Sequence, residues 1–141
     1  MGCFRVDVKF FNTAQRARSA LVPQMLVDTG SEATWVPRNT LEYLGVQPEK
    51  KDRSFQVANG QVITRTVGYA LLEVAPDFKT VDEVVFGEEG ELAILGARSL
   101  EGLNVRVDPE RKQLVAAGPI LAAGSTAIEI ETEQLTWQPS R

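Results

Sequence analysis

The sequence predicts a mainly β fold with one or two short helices. Apolar residues from Phe4 to Phe10 alternate with charged residues, which is the period-two pattern of a half-buried strand. Residues 20–27 form an apolar run of strand length, and Asn59-Gly60 between two strand-like segments is the strongest two-residue hairpin signal. Short strands separated by turn residues therefore dominate the chain.

The first third of the chain contains a loop, a second strand and one predicted helix. Residues 12–19 are polar and are predicted to form the loop that precedes the strand at residues 20–27. Asn39 or Thr40 is predicted to cap a short helix that continues to Leu44 and stops at Gly45, because glycine tolerates the backbone conformation that ends a helix.

The middle and the end of the chain are predicted to form hairpins and one further helix. Residues 54–58 and 61–67 are predicted to pair across Asn59-Gly60, with the second arm continuing to Val74. Further strands are predicted over residues 81–86, 92–96, 104–107, 112–115 and 128–131, with a short helix over residues 98–103. The acidic segment 87–91 is predicted to be a solvated connection without a function of its own.

The composition excludes several classes of protein. The 141 residues predict a single domain, and the absence of histidine excludes Ser-His-Asp and Cys-His catalysis. Cys3 is the only cysteine, so neither an internal disulfide nor a thiolate metal cluster can form, and we expect no metal and no cofactor. The net charge of −4 argues against nucleic-acid binding. Without a membrane-spanning stretch or a signal peptide, the chain is expected to be soluble and cytoplasmic.

The most informative segment of the sequence is Met25 to Pro37. An apolar run precedes Asp28-Thr29-Gly30, and a second apolar pair, Trp35 and Val36, follows it. This pattern presents one carboxylate on a tight loop between two buried strands. An ordinary turn is the alternative interpretation of the tripeptide and the serine that follows it, because all four residues are common in turns.

This segment resembles the active-site loop of aspartic proteases, in both the two-lobed pepsins and the single-lobed retropepsins. Ile94-Leu95-Gly96 followed by a short helix resembles the element that passes beneath the catalytic loop in that fold. The hairpin around Asn59-Gly60 lies between them in the sequence, where those enzymes have the flap that covers the substrate. With the order of the strands, the resemblance extends over about residues 4–119 and is greatest to the prokaryotic single-domain retropepsin-like proteins.

The resemblance implies a closed β-barrel or sandwich of the acid-protease fold, with a flap hairpin. It also implies a homodimer, because an aspartic protease needs two catalytic loops and the tripeptide occurs once in this chain. Asp28, Thr29 and Gly30 are then the catalytic residues: Asp28 forms the dyad, the Thr29 hydroxyl bonds across the dimer axis, and Gly30 allows the two loops to approach. Ser31 is expected to donate a hydrogen bond to a carboxylate oxygen.

A peptide or protein substrate is expected to contact residues on both sides of the catalytic loop. We predict substrate-binding roles for Ser31 and Trp35 and for the flap tip, which comprises Ala58, Asn59 and Gly60. For Trp35, packing beside the flap and a plain role in the core are equally consistent with the sequence.

Some positions depart from the viral enzymes. Glu32 stands where those enzymes often have Asp, and Arg98 follows Gly96 by two residues instead of one. Residues 120–141 extend beyond the usual viral end, and either residues 114–123 or residues 126–131 are candidates for an interface strand. Three functions follow: a homodimeric aspartic endopeptidase, a non-catalytic binding or assembly module with the same fold, or a β-barrel unrelated to proteases.

Overall fold

A computed structural model describes residues 4–121 of the chain, and this part contains nine strands and two helices. In chain order the elements are β1 (Arg5–Phe11), β2 (Ser19–Asp28), β3 (Thr34–Pro37), α1 (Arg38–Leu44), β4 (Lys50–Gln56), β5 (Val62–Ala75), β6 (Phe78–Gly87), β7 (Ile94–Gly96), α2 (Ala97–Leu103), β8 (Val105–Asp108) and β9 (Gln113–Ala116). The predicted mainly β fold with short helices is confirmed.

Six strands close into a barrel. Their order is β1-β2-β7-β3-β6-β5, and pairing of β5 with β1 completes the ring. Two of the neighbouring pairs, β2 with β7 and β3 with β6, are parallel, whereas the others are antiparallel. The closed barrel predicted from the resemblance is confirmed. Strand β4 lies outside the ring, because it pairs only with the first part of β5.

The core fills the inside of this barrel. Phe10, Met25, Leu72, Phe86 and Leu95 come from five different strands and are all at most 1% exposed. Alternation along β1 places Val8 and Phe10 on the inner face, as its sequence pattern predicted. Burial of these large apolar side chains is the main source of stability for a domain of this size.

Helix α1 begins earlier than predicted. The prediction that Asn39 or Thr40 caps the helix is wrong, because the helix starts at Arg38 and no side chain bonds to its first turn. Strand β3 runs directly into the helix through Pro37, whose fixed φ suits the position before a first turn. The predicted stop at Gly45 is confirmed: Gly45 has a φ of 74° and its N–H donates to the carbonyl of Glu42.

The flap hairpin, which comprises β4, the first part of β5 and the loop between them, has a longer turn than predicted. The Val57 N–H donates to the Gln61 carbonyl, so the loop contains three residues, Ala58, Asn59 and Gly60, instead of two. The Gly60 N–H donates to the Val57 carbonyl and Gly60 has a φ of 87°, which is the arrangement expected of a turn followed by a left-handed glycine. The long second arm of the hairpin is confirmed, since β5 continues without interruption to Ala75.

The acidic segment after β6 is tied to the barrel by ion pairs. Glu91 accepts hydrogen bonds from the Arg65 guanidinium and from the Glu88 N–H, and Glu88 pairs with Arg38 at 2.9 Å. Residues 88–90 are exposed, as predicted for a solvated connection, and the ion pairs are an addition that the sequence did not predict. The hydrogen bond from Arg65 is the main reason that the pKa of Glu91 lies below its ordinary value.

The end of the chain is only partly described. The predicted hairpin of β8 and β9 is confirmed, and Asp108 organises its turn by accepting the N–H groups of Glu110 and Arg111. Ile120 and Leu121 are exposed. The strand predicted at residues 128–131 and the candidate interface segment 126–131 lie outside the described residues. Between residues 4 and 121, no helix is both long and apolar enough to cross a membrane.

We expect Glu91→Gln to reduce the acid sensitivity of the fold. Because the folded-state pKa of Glu91 is lowered, the unfolded chain takes up this proton first, so the stabilisation is present above about pH 4.5 and is lost as the pH falls further. The free energy of unfolding of the wild type should therefore fall more steeply below that pH than that of the variant, as measured by urea titrations at several pH values. Glu89→Gln, in the same loop, controls for the removed charge. Equal slopes in the wild type and Glu91→Gln would contradict the prediction.

Candidate active site

Asp28 is the last residue of β2 and opens a tight loop, the Asp28 loop (residues 28–33). Its side chain is half-buried, whereas Thr29 and Gly30 form an exposed turn directly after it. The Gly30 N–H donates to Asp28 Oδ1 at 2.9 Å, and the Ser31 N–H donates to the Asp28 carbonyl at 3.2 Å. The backbone of the loop therefore holds the carboxylate in place.

Gly96 lies directly beneath the Asp28 loop. It pairs with Asp28 in parallel register, and a Cβ at this position would lie 2.3 Å from the Ala33 carbonyl oxygen. The first two amides of α2 complete the contact, because Ala97 N–H donates to the Ser31 carbonyl at 2.7 Å and Arg98 N–H to the Glu32 carbonyl at 3.2 Å. Only glycine allows this approach, so Ile94-Leu95-Gly96 has the position that the resemblance implied.

A buried series of hydrogen-bonded hydroxyl groups fixes β3 behind the Asp28 loop. Gly96 N–H donates to Thr34 Oγ1 at 3.0 Å, and Thr34 Oγ1 lies 2.6 Å from Ser99 Oγ. Ser99 in turn donates to Asp82 Oδ2 at 2.7 Å, so the Thr34 hydroxyl must donate to Ser99. Thr34 and Ser99 are fully buried. The chain connects β3, β7, α2 and β6 immediately behind the Asp28 loop.

Sequence analysis did not find this hydroxyl chain. Thr34 belongs to the segment that resembles the aspartic protease loop, but Ser99 lies 65 positions away and belongs to no recognisable motif. The available signal was Thr34 itself, a polar residue at the start of the strongly apolar Trp35-Val36 segment. A polar group inside a buried strand needs a partner, but the sequence does not identify that partner.

A cleft of about 850 Å³ opens between the Asp28 loop and the flap hairpin. Asp28, Gly30 and Ser31 line one side, and Phe55 and Ala58 of the flap hairpin line the other. Trp35 lies in the cleft with its ring 5.2 Å from that of Phe55, measured between centroids. Of the two interpretations of Trp35, the structure shows the packing beside the flap.

The flap tip and the Ser31 hydroxyl differ in part from the arrangement that was predicted. Within the described chain, Asn59 and Gly60 are exposed at the tip and stand outside the cleft lining, unlike Ala58. The expected hydrogen bond from Ser31 to a carboxylate oxygen is wrong, because the Ser31 hydroxyl donates to the Ala33 carbonyl at 2.9 Å. The tight curvature of the loop brings that carbonyl within reach of the side chain.

A charged group of four residues, the Glu83 cluster, comprises Lys50, Arg53, Glu83 and Arg98, and all but Lys50 line the cleft. Lys50 hydrogen-bonds Glu83 Oε2, and the nearest nitrogens of Arg53 and Arg98 lie 3.7 and 3.9 Å from Glu83 Oε1. The hydrogen bond from Lys50 is the main cause that lowers the pKa of Glu83, and the two arginines add to it while partial burial opposes it. Arg98 thus has an acidic partner within its own subunit.

The described residues contain no group of three or more acidic, histidine or cysteine side chains placed to hold a metal ion.

A comparison with protein-family models gives one match. Residues 22–102 match the family described as "gag-polyprotein putative aspartyl protease". The chain belongs to this family of retropepsin-like aspartyl proteases. The matched region contains the Asp28 loop, the flap hairpin, Gly96 and almost all of α2, which are the elements that surround the cleft. A comparison with curated proteins found no match.

Within this retropepsin-like fold, the described chain carries one Asp-Thr-Gly loop. Asp28 has no second aspartate opposite it on a matching loop in residues 4–121, and the Asp-Thr-Gly tripeptide occurs once in the sequence. The barrel, the flap hairpin and the element beneath the Asp28 loop are all present in the single chain.

We expect Gly96→Ala to destabilise the fold by at least about 2 kcal/mol, because the new methyl group would overlap backbone atoms that cannot move independently. Urea denaturation of the wild type and the variant measures this difference. Glu101→Ala, on the exposed face of α2, is the control and should change the free energy of unfolding by less than about 0.5 kcal/mol. A Gly96→Ala protein as stable as the wild type would show that the contact beneath the loop is not tight.

Proposed function

We propose that the protein is a homodimeric aspartic endopeptidase that hydrolyses peptide bonds with a dyad of two Asp28 residues, one from each subunit. The observation that carries this proposal is the position of Asp28: it ends a barrel strand, is held by a backbone amide and lines a cleft large enough for an extended peptide. The family match supports a protease-like fold around that carboxylate.

The exposed part of the Asp28 loop is suited to meet a second copy of itself. Thr29 and Gly30 are exposed in the single chain, so their polar groups are available to a partner loop. A Cβ on Gly30 would lie 3.2 Å from Asp28 Oδ1, and a side chain there would crowd the carboxylate. Glycine therefore keeps the space between two facing carboxylates open. In the proposed dimer the Thr29 hydroxyl hydrogen-bonds to the partner loop.

The proposed reaction uses the two carboxyl groups in different protonation states. Two such groups a few ångströms apart share one proton, because both cannot easily be ionised. The ionised Asp28 takes a proton from a water molecule, whose oxygen attacks the scissile carbonyl carbon. The partner subunit's Asp28 gives its proton to the carbonyl oxygen. The tetrahedral intermediate then collapses, the carbon–nitrogen bond breaks and a proton passes to the leaving nitrogen.

The substrate is proposed to lie as an extended strand between the Asp28 loop and the flap hairpin. Trp35 and Phe55 offer apolar surface, and Ser31 and Ala58 bound the cleft on its two sides. Asn59 and Gly60 at the flap tip would contact the peptide when the hairpin closes over it. Exposed backbone groups on the cleft side of such a hairpin bind main-chain amides in the manner of an added strand.

We expect Asp28→Asn to abolish cleavage while the protein stays folded and dimeric, because the amide neither accepts the proton of the water nor carries the shared proton. Digestion of an unbiased peptide mixture followed by mass spectrometry measures cleavage, and sedimentation measures the oligomeric state of both proteins. Asp77→Asn, in the exposed turn before β6, is the matched control and should cleave like the wild type.

Undiminished cleavage by dimeric Asp28→Asn would contradict the dyad. A well-folded wild-type dimer that cleaves nothing in the mixture would favour the alternative, a non-catalytic binding or assembly module with this fold. A strictly monomeric wild type would lack the second Asp28 and would contradict the proposed dimer.

We expect the rate of cleavage to fall as the pH rises from about 5 to about 8, because the shared proton that reaches the carbonyl oxygen is lost. Initial rates on one cleaved peptide, measured across this range on samples checked for intact dimer, give the profile. A rate that climbs steadily over the same range would contradict the shared-proton mechanism.

A further inference from the structure

The Glu83 cluster contains more positively than negatively charged residues. Three cations, Lys50, Arg53 and Arg98, surround the single carboxylate of Glu83. Asp82 is the nearest further acid, but both of its oxygens are already used, by the Ser99 hydroxyl and by the Glu83 N–H. The four residues of the cluster therefore carry a net positive charge, and Asp82 beside them keeps its own negative charge.

The two arginines face the cleft, whereas Lys50 does not. Arg53 from the flap hairpin and Arg98 from α2 both belong to the cleft lining that includes Asp28. Their side chains are 44% and 52% exposed, and that of Glu83 is only 20% exposed. A molecule in the cleft therefore meets the guanidinium groups more readily than the carboxylate they surround.

The contacts of both guanidinium groups with Glu83 are loose. Distances of 3.7 and 3.9 Å are well beyond the roughly 2.7–2.9 Å of a charge-assisted hydrogen bond. Lys50 holds the same carboxylate by a true hydrogen bond. Within residues 4–121 the donors of Arg53 and Arg98 have no hydrogen-bond acceptor, although each guanidinium offers five N–H groups in a geometry that fits a carboxylate.

We propose that Arg53 and Arg98 form a subsite for a carboxylate side chain of the substrate, so that the protein selects peptides with Glu or Asp near the scissile bond. The subsite lies in the same cleft as Asp28, and its selection of cleavage sites rests on the proposed function. The preference of the subsite for a carboxylate, however, can be measured by peptide binding without cleavage.

The overall charge of the protein does not oppose this selection. The chain has a net charge of −4, but screening limits the reach of surface charges to roughly 8 Å at physiological salt. A substrate carboxylate between Arg53 and Arg98 therefore interacts mainly with the Glu83 cluster. Asp28, Glu32 and Asp82 are the other acids of the lining, and a site that they dominated would select basic side chains instead.

The experiment measures peptide binding without cleavage. The Asp28→Asn protein is titrated into two fluorescently labelled pools of octapeptides, which are identical except that one contains a single Glu where the other contains Gln. We expect roughly tenfold tighter binding of the Glu pool, a difference typical of charged hydrogen bonds at a partly exposed site. The difference should shrink as the salt concentration rises.

Variants assign the effect to the two arginines. In the Asp28→Asn background, Arg53→Gln and Arg98→Gln should each remove most of the preference for the Glu pool and leave the affinity for the Gln pool unchanged. A general distortion of the cleft would lower both affinities. Lys51→Gln, two residues before Arg53 and outside the cleft lining, removes the same charge and should keep the preference.

The outcomes separate this inference from the proposed function. Equal affinities for the two pools, no measurable binding of either, or tighter binding of a pool with Lys in place of Glu would overturn the subsite. Glu-selective binding by a protein whose wild type cleaves no peptide would support the subsite and contradict the peptidase. Cleavage by the wild type without enrichment of Glu or Asp near the cut bonds would contradict the subsite alone.

Discussion

The close approach of Gly96 to the Asp28 loop is the constraint on which the rest of the site depends. Strand β7 is only three residues long, yet it pairs with β2 on one side and with β3 on the other. It thereby joins the strand that ends at Asp28 to the strand that carries Trp35. Because the contact is made by backbone atoms, the position of the carboxylate is set by the barrel and does not rely on a flexible side chain.

Helix α2 extends this constraint from the loop to the cleft wall. Its first amides hold the Asp28 loop, Ser99 anchors Thr34 from behind, and Arg98 reaches the Glu83 cluster. Arg53 connects the same cluster to the flap hairpin. Seven helical residues therefore link the Asp28 loop, the barrel and the flap hairpin, which together surround the cleft.

Features with a local sequence pattern were predictable, and features made by distant side chains were not. Alternation in β1 and the glycine stop at Gly45 follow from neighbouring residues, whereas the position of the Ile94–Gly96 element was implied by the family resemblance. All three were confirmed in the structure. The start of α1 at Arg38 was missed because a strand runs into the helix without a capping residue. The chain from Thr34 through Ser99 could not be foreseen, since the fold alone brings these hydroxyls together.

In the proposed mechanism, catalysis needs two Asp28 residues from two different chains. Mixing wild-type and inactive subunits is the direct test of this requirement. A fixed amount of wild-type protein is refolded from urea together with increasing amounts of the Asp28→Asn chain, so that hybrid dimers form. We expect cleavage to fall towards zero as the inactive chain captures the wild-type subunits, whereas the same excess of an unrelated protein should have no effect. Cleavage that stays constant at every ratio would show that one chain is sufficient and would contradict the account.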